Sequence, residues 1–346
     1  MSQVSTSRRD LAKGLALLGL AGAAAAPIAA RAQPAGDATV DAAVKAAHTQ
    51  FVGLNEGKNA DYIPALAEVP SKYFGIALVT PRGQVSTAGD IEPLFSIQSI
   101  SKVFTMALVF KESGEQLIED SIGVDATGQV FNSIVAVEQF RGKEMNPLVN
   151  PGAIATMGMV KGSSPDEIWA KVIGIHSDFA GRQLTVDKVV YKSEADTNQR
   201  NRAISQLMSA YERFPGDPAV AVDLYTRACA IAVNAKDLGI MAATLSNGGR
   251  NPVTRKQVID PKFIPGILAV MATAGLYDDS GKWLFHTGLP AKSGVGGGLI
   301  AVSPGKFGIG TFAPPLDAAG NSVRGQRAIT QISNSLGGNP FASRPV

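Results

Sequence analysis

Strand-type sequence lies near both ends of this 346-residue chain, and the long stretch between the ends is patterned for helices. Residues 73–79 and 84–88 are β-rich runs on either side of a turn that contains proline and glycine. Residues 298–302 and 307–312 repeat this arrangement around a second Pro-Gly turn. Each pair of runs predicts a β-hairpin.

Helical spacing of apolar residues fills most of the chain between the hairpins. The clearest of these runs are 165–173, 198–209, 219–235 and 236–246, and further helices are predicted at 39–53 and 322–336. Strands at both ends with helices between predict an α/β (α+β) fold. In it, one antiparallel sheet is built from both chain ends with flanking helices, and an all-helical lobe is inserted. We expect the sheet lobe at about 37–98 and 252–346, and the helical lobe at about 99–251.

A Ser-x-x-Lys pair, Ser99 and Lys102, lies where a helical run begins after the first hairpin. Residues three apart share one face of a helix, so the lysine amine lies one turn from the serine hydroxyl. A lysine can activate a serine nucleophile when burial lowers its pKa towards neutrality. The alternative is a purely structural role, in which the serine caps the helix and the lysine lies on the surface. A second match, Ser303 and Lys306, spans a Pro-Gly turn, so its side chains are not stacked on a helix.

A glycine-rich segment, residues 292–298, comes directly before a late strand and begins with Lys292-Ser-Gly. A Lys-Ser/Thr-Gly strand lines the cleft opposite the nucleophile in acyl-serine enzymes. Glycine lets the main chain approach a substrate closely, and an exposed N–H can stabilise an oxyanion. Taken alone, the segment is equally compatible with a plain glycine-rich turn.

The first 32 residues resemble a twin-arginine export signal. Arg8 and Arg9 precede an apolar stretch at 14–28, and Ala-Arg-Ala at 30–32 forms a small-x-small cleavage site. A membrane anchor is the alternative, but the apolar stretch is shorter than the ~20 residues of a spanning helix. We therefore expect a periplasmic protein without stable membrane anchoring, with 33–346 as a single catalytic domain. If the leader does not function, the protein is cytoplasmic.

Charge and metal-ligand patterns narrow the function classes. The formal net charge is +3, and the leader holds four basic residues against one acidic residue, so the rest of the chain is near neutral. Nucleic-acid binding is therefore not predicted. The three histidines have no metal-ligand spacing, and we predict no metal or other cofactor. The single cysteine, Cys229, lies in an apolar helical run and is interpreted as a buried small residue.

The chain resembles the serine-dependent glutaminases, amidohydrolases that share the β-lactamase-like (penicillin-binding-protein-like) fold. The resemblance runs from residue 51 to about 336, with the motifs in the family order. The matching stretches are 95–102, 146–154, 192–194, 200–202, 225–229, 245–252, 275–281, 288–298 and 320–325. It implies hydrolysis of L-glutamine to L-glutamate and ammonia without a cofactor, and a homodimer or homotetramer.

The resemblance also implies a role for each matched site residue. Ser99 matches the nucleophile, Lys102 its base, and the main chain of Val295 an oxyanion-hole position shared with the N–H of Ser99. The matched substrate-binding residues are Asn150, Glu194, Asn201, Tyr225 and Tyr277. Tyr225 is alternatively a proton relay to the leaving ammonia.

These residue types suit a free amino acid, because its ammonium and carboxylate need partners when buried. Glu194 can pair with the ammonium, while Asn150, Asn201 and a tyrosine hydroxyl can hold the carboxylate. Individually, each is also explained as a cap, a solvated charge or a core aromatic residue. Pro151 stands where the family more often has alanine, beside a predicted substrate contact.

Three rival functions remain open from the sequence. A β-lactam-directed acyl-serine enzyme normally adds a Ser-Asp-Asn or Tyr-x-Asn element, and neither string occurs here. A non-catalytic amino-acid-binding protein has no need of two lysines in these motifs. Another amide substrate, such as asparagine, depends on the depth of the pocket.

Overall fold

The computed structural model describes residues 37–143 and 145–343. The predicted export leader at 1–32 lies outside these ranges. Within them, no helix combines the length and the apolar character needed to cross a membrane.

Eight strands in the described part of the chain form two antiparallel sheets. Their bounds are β1 Gly75–Val79, β2 Val85–Gly89, β3 Phe95–Ser96, β4 Thr185–Val186, β5 Ile231–Val233, β6 Ala291–Ser293, β7 Gly298–Ser303 and β8 Phe307–Phe312. The larger sheet has the order β2-β1-β8-β7-β6, and the smaller has the order β3-β5-β4. Both predicted hairpins are confirmed, as β1–β2 and β7–β8. The two chain ends meet where β1 pairs with β8, for example at Leu78 opposite Ile309.

Fourteen α-helices lie in the same described ranges. Their bounds are α1 Asp37–Phe51, α2 Pro64–Ala67, α3 Ser101–Ser113, α4 Gln116–Ser121, α5 Ile134–Phe140, α6 Asn150–Gly158, α7 Pro165–Ala180, α8 Lys188–Thr197, α9 Gln199–Ala210, α10 Pro218–Cys229, α11 Ala235–Ser246, α12 Ile264–Ala274, α13 Ser280–Thr287 and α14 Val323–Leu336. The predicted helices at both termini are confirmed as α1 and α14. The predicted cap of α7 is also confirmed, because the Ser164 side chain accepts from the Glu167 N–H and Pro165 begins the helix.

Helices cover both faces of the large sheet, so its central strands β1, β7 and β8 are buried along their whole length. Ile76 and Leu78 of β1 pack in a core with α1 and α14. Val79 points to the other face, towards Ile240 and Ala243 of α11.

Glycine in β8 allows α11 to lie unusually close to the sheet. A Cβ built on Gly310 would stand 2.4 Å from the Gly239 nitrogen and 2.6 Å from the Ala235 oxygen. No side chain fits at that distance, so the contact between helix and sheet depends on glycine.

One predicted helix is wrong in its extent. The run at 219–235 was expected to be continuous, but α10 ends at Cys229 and residues Ile231–Val233 form β5. β5 lies between β3 and β4, so tertiary pairing overrides the helical spacing. Asn234 then begins α11 through a capping box with Asp237.

The large apolar core lies among the helices between the two sheets, and it includes most of α3. Every residue of α3 from Ser101 to Phe110 is buried. The helix predicted to start at Ser99 is therefore a central element, but its regular α-helical part begins at Ser101 after a 3₁₀ turn at Gln98–Ile100.

Candidate active site

Ser99 lies in the 3₁₀ turn that joins β3 to α3, and Lys102 lies in the first turn of α3. Ser99 is 7% exposed and Lys102 is 2% exposed. The preceding residue, Gln98, has a left-handed φ of +51°. Non-glycine residues rarely adopt this conformation, and such strain is concentrated at functional sites.

Burial gives Lys102 the property that a general base requires. Removal from water lowers the pKa of its amine to about 8, although nearby Cys229 and Glu194 oppose the change. The Lys102 Nζ donates to Asn150 Oδ1 at 2.6 Å and to the Leu148 carbonyl at 3.4 Å. In the described part of the chain no hydrogen bond directly joins the Ser99 and Lys102 side chains. Both side chains are buried where the 3₁₀ turn runs into α3.

Asn150, Asn201 and Tyr225 form one hydrogen-bonded network around the lysine. Asn150 Nδ2 donates to Asn201 Oδ1 at 3.0 Å, and the Tyr225 hydroxyl donates to Asn150 Oδ1 at 3.3 Å. Burial raises the pKa of Tyr225 well above its ordinary value, so its phenol stays protonated. Pro151 is accommodated in the first turn of α6, where a missing N–H costs no intrahelical bond.

Glu194 is a buried carboxylate, 6% exposed, that makes no salt bridge among the described residues. Its Oε2 accepts from Gln98 Nε2 at 3.3 Å. Burial raises the pKa of Glu194 to about 7, and the Gln98 hydrogen bond and the charge of Lys102 only partly offset this. A carboxylate in this condition is suited to a cationic group supplied by a ligand.

The Lys-Ser-Gly segment forms the wall next to this cluster. Lys292 is fully buried, and its Nζ donates to the carbonyls of Gly275 at 2.9 Å and Ser293 at 2.8 Å. The same nitrogen lies 4.3 Å from the centre of the Tyr277 ring. Burial lowers the pKa of Lys292 well below its ordinary value, and the charge of Lys102 adds to the effect.

Tyr277 connects this wall to the serine. Its hydroxyl donates to the Ser293 carbonyl at 3.3 Å, and its backbone is left-handed with φ +57°. Burial raises the pKa of Tyr277 well above its ordinary value, so its phenol stays protonated. Tyr277 therefore packs against the Lys-Ser-Gly segment, next to the turn that holds Ser99.

Close packing of glycines brings the main chain around Val295 against the strand that leads to Ser99. A Cβ on Gly294 would stand 2.7 Å from the Ile97 oxygen, and one on Gly296 would stand 2.8 Å from the Ser96 oxygen. The segment can approach so closely only because both positions lack a side chain. Val295 is itself buried against Tyr277.

Two polar residues of this cluster were not predicted from the sequence. Gln98 is buried and links Ser96 to Glu194. Its only sequence signal is its place directly before the nucleophile. Tyr62, 54% exposed, directly precedes Ile63, which packs in the same apolar cluster as Tyr277. It comes from a short loop with no motif, and only the fold places that loop beside the site.

The structure thus places the predicted site residues around the start of α3. Lys102, Asn150, Asn201 and Tyr225 form one network, Glu194 is bonded to Gln98 beside Ser99, and Tyr277 packs in one apolar cluster with Val295. An antiparallel sheet made from both chain ends, with a Ser-x-x-Lys pair at the start of a central helix, defines the class of β-lactamase-like proteins. Cys229 is buried, as predicted, and burial raises the pKa of its thiol well above the ordinary value, which excludes a reactive thiolate.

Comparison with known proteins identifies the family within this class. The family described as Glutaminase matches residues 57–341, and the chain belongs to it. A glutaminase of Colwellia psychrerythraea is 52% identical over 295 residues, which span 85% of this chain and 95% of that protein.

Solved structures agree with this assignment. A structure described as "Probable glutaminase ybaS" has a TM-score of 0.88 at 44% identity, covering 89% of this chain and 100% of that one. The structure of Mglu in its glutamate form has a TM-score of 0.83 at 34% identity, covering 88% of this chain and 70% of that one.

Proposed function

We propose that this member of the glutaminase family hydrolyses L-glutamine to L-glutamate and ammonia through an acyl-enzyme on Ser99. The observation that carries the proposal is the combination of a buried serine, a lysine whose pKa is about 8, and a buried carboxyl group, Glu194, that makes no salt bridge among the described residues. The first two supply a nucleophile and its base, and the third supplies a partner for an amino group.

Glutamine is held by its amino-acid end. Glu194 pairs with the α-ammonium, while Asn150, Asn201 and a tyrosine hydroxyl bind the α-carboxylate. The side-chain amide then extends towards Ser99. The glutamate form of the Mglu structure supports a ligand of this size and charge in the fold.

Acylation begins when the neutral amine of Lys102 takes the proton of the Ser99 hydroxyl. The serine oxygen attacks the amide carbon, and the oxyanion of the tetrahedral intermediate is held by the N–H groups of Ser99 and Val295. The C–N bond breaks as the leaving nitrogen receives a proton from the Lys102 ammonium, directly or through the Tyr225 hydroxyl. Ammonia leaves, and a γ-glutamyl ester remains on Ser99.

Deacylation repeats these steps with water in place of the serine. Lys102 accepts a proton from the water, which attacks the ester carbon, and the same N–H groups hold the second oxyanion. The C–O bond to Ser99 breaks, the serine regains its proton, and glutamate is released.

Ammonia release from glutamine by the purified protein tests the function. We expect Ser99→Ala and Lys102→Met to lower the rate by about three orders of magnitude or more. The chain offers a matched control, Lys306→Met, because Lys306 belongs to the second Ser-x-x-Lys string but is exposed on a turn. Full activity in Ser99→Ala, or labelling of another residue by an electrophilic glutamine analogue, would refute the mechanism.

We propose further that the leader exports the protein to the periplasm. The twin arginines at 8 and 9, the apolar stretch and the small-x-small site at 30–32 support this. Fractionation of cells that express the full chain should find the processed protein in the periplasm. A double variant, Arg8→Lys with Arg9→Lys, should remain in the cytoplasm. Equal export of both proteins would exclude the twin-arginine route.

A homodimer or homotetramer is the assembly proposed for the processed chain, and family resemblance supports it. Light scattering after size-exclusion chromatography should give two or four times the mass of residues 33–346. A single monomeric peak across the working concentration range would contradict this assembly.

A further inference from the structure

We propose that Asn150 is a positioning residue for the base Lys102, in addition to its predicted contact with substrate. Its side-chain oxygen and the Leu148 carbonyl take both N–H bonds of the neutral amine, and this leaves the lone pair for the Ser99 hydroxyl. The inference rests on the proposed acyl-serine mechanism.

The donors and acceptors around the Lys102 amine determine where its lone pair can point. A neutral amine has two N–H bonds and one lone pair in a tetrahedral arrangement. Its nitrogen lies 2.6 Å from Asn150 Oδ1 and 3.4 Å from the Leu148 oxygen, and a carbonyl oxygen can only accept. Because Lys102 is 2% exposed, its amine is withdrawn from bulk solvent. The two carbonyls therefore occupy both donors, and the lone pair takes the remaining direction.

The orientation of the Asn150 amide is held from several sides. Its oxygen faces two donors, Lys102 and Tyr225, whereas its nitrogen donates to Asn201 Oδ1 at 3.0 Å. A flipped amide would set its NH₂ group against both donors and its oxygen against the Asn201 oxygen. The backbone N–H of Asn150 is also fixed, because it donates to the Phe131 carbonyl at 2.7 Å.

This arrangement links the base to the proposed substrate site through one side chain. Asn201, which contacts the nitrogen of the Asn150 amide, is a predicted ligand of the substrate carboxylate. The Asn150 amide then both orients the Lys102 amine and contacts the site for the substrate's carboxylate.

The charged and titratable groups that face Lys102 come from several elements. They are Glu194 on α8, Tyr225 and Cys229 on α10, and Lys292 on β6. A carboxylate at position 150 would contact the Lys102 nitrogen directly, because the amide oxygen of Asn150 lies 2.6 Å from it. It would therefore act on the base more directly than Glu194 does.

The substitution Asn150→Asp tests the proposal through the pH dependence of the reaction. An adjacent carboxylate favours the ammonium form, so the acid limb of the kcat profile should move to higher pH by about 1–3 units. The rate near pH 7 should fall by about 10- to 1000-fold and recover in part as the pH rises. If residue 150 contacted only the substrate and not the lysine amine, the substitution would not move this limb.

Asn201→Asp is the matched variant, since it places the same charge one amide further from the lysine. It should raise KM while displacing the acid limb less than Asn150→Asp does. If Asn150→Asp does not fold, Asn150→Ala replaces it, and about a 100-fold fall in kcat with a smaller change in KM is expected.

An unmoved acid limb in folded Asn150→Asp, or a change confined to KM, would overturn the inference and leave Asn150 as a substrate contact. An unchanged kcat in Asn150→Ala would overturn it as well. Activity of Ser99→Ala in the same assay separates the two proposals. If Ser99→Ala is inactive and the Asn150 variants keep the wild-type kcat profile, only the positioning role fails.

Discussion

Glu194, proposed above to pair with the substrate's ammonium, destabilises the folded protein at neutral and alkaline pH. The pKa of its carboxyl group is about 7 in the folded protein against an ordinary value of 4.5, because it is buried. The folded state therefore holds the proton more tightly than the unfolded chain does. This group does not change the free energy of unfolding below about pH 4.5. As the pH rises from 4.5 to about 7, the free energy of unfolding falls, and above that range it is level again.

We therefore expect Glu194→Gln to be more stable than the wild type at pH 8, by roughly 3 kcal/mol at most, and no more stable at pH 4. Chemical denaturation of the ligand-free proteins at the two pH values measures this. Glutamine binding should be lost at the same time, since the substrate's ammonium would have no anionic partner. A variant less stable than the wild type at pH 8 would contradict the assigned burial cost.

At the scale of residues, the sequence predicts those site residues whose spacing forms a local motif. Ser99 and Lys102 were predictable because their spacing has a direct geometric consequence on a helix. The link between Lys102 and Asn150 was not predictable, because 48 residues separate the two and no local pattern joins them. Tyr62 was missed for the same reason.

At the scale of elements, the contact between α11 and β8 depends on glycine. Gly310→Ala would bring a methyl group within 2.4 Å of the Gly239 nitrogen, so the helix or the strand must move. We expect a loss of about 1–3 kcal/mol or more in the free energy of unfolding, measured by urea denaturation.

The matched control is Gly174→Ala, in the middle of α7. A Cβ at that position meets no atom within 4 Å, so only the helix propensity changes. The variant should gain about 0.5–1 kcal/mol. If both substitutions changed stability alike, close packing would not be the cause.

The elements themselves were predictable where short-range signals agreed with the tertiary structure. Both hairpins have turn residues between apolar runs, and α7 has a serine cap followed by proline. The strand β5 was hidden, because Ile231–Val233 continues the apolar spacing of α10. Its partners, β3 and β4, are only two residues each, too short to be recognised in sequence.

At the scale of the whole molecule, His176 sets a limit on stability in acid. It lies in the main core with both ring nitrogens near backbone carbonyls, those of Val172 at 2.7 Å and Ser101 at 3.2 Å. Burial lowers its pKa from 6.5 to about 4. Between these pH values the unfolded chain binds a proton that the folded protein does not, so stability falls as the pH falls.

We expect this linkage to remove roughly 3 kcal/mol between pH 7 and pH 4. His176→Gln, which keeps a donor but does not titrate, should lose less stability over that interval, as measured by thermal melting. Glu194 acts in the opposite direction over part of the range, so the comparison is made between variants. His286→Gln, on an exposed turn of α13, should behave as the wild type. Equal losses in all three proteins would show that His176 is not the titrating group.

The fold of the whole molecule was predictable from the order of helices and strands along the chain. Strands at the two ends with helices between left few ways to complete a sheet. The way in which the segment around Val295 closes on the serine turn could not be predicted in the same way, because it depends on distances between segments almost 200 residues apart.

The pairing of β1 with β8 has a consequence for biosynthesis. The partner of residues 75–79 lies at 308–312, so a nascent polypeptide leaves the ribosome with one edge of its first hairpin bare until translation is nearly complete. The serine is synthesised early, but the wall that must face it is among the last parts made. The active site can therefore form only after almost the whole polypeptide has been synthesised. A chain truncated before residue 312 would lack part of β8, the partner of β1, and we expect it to be inactive.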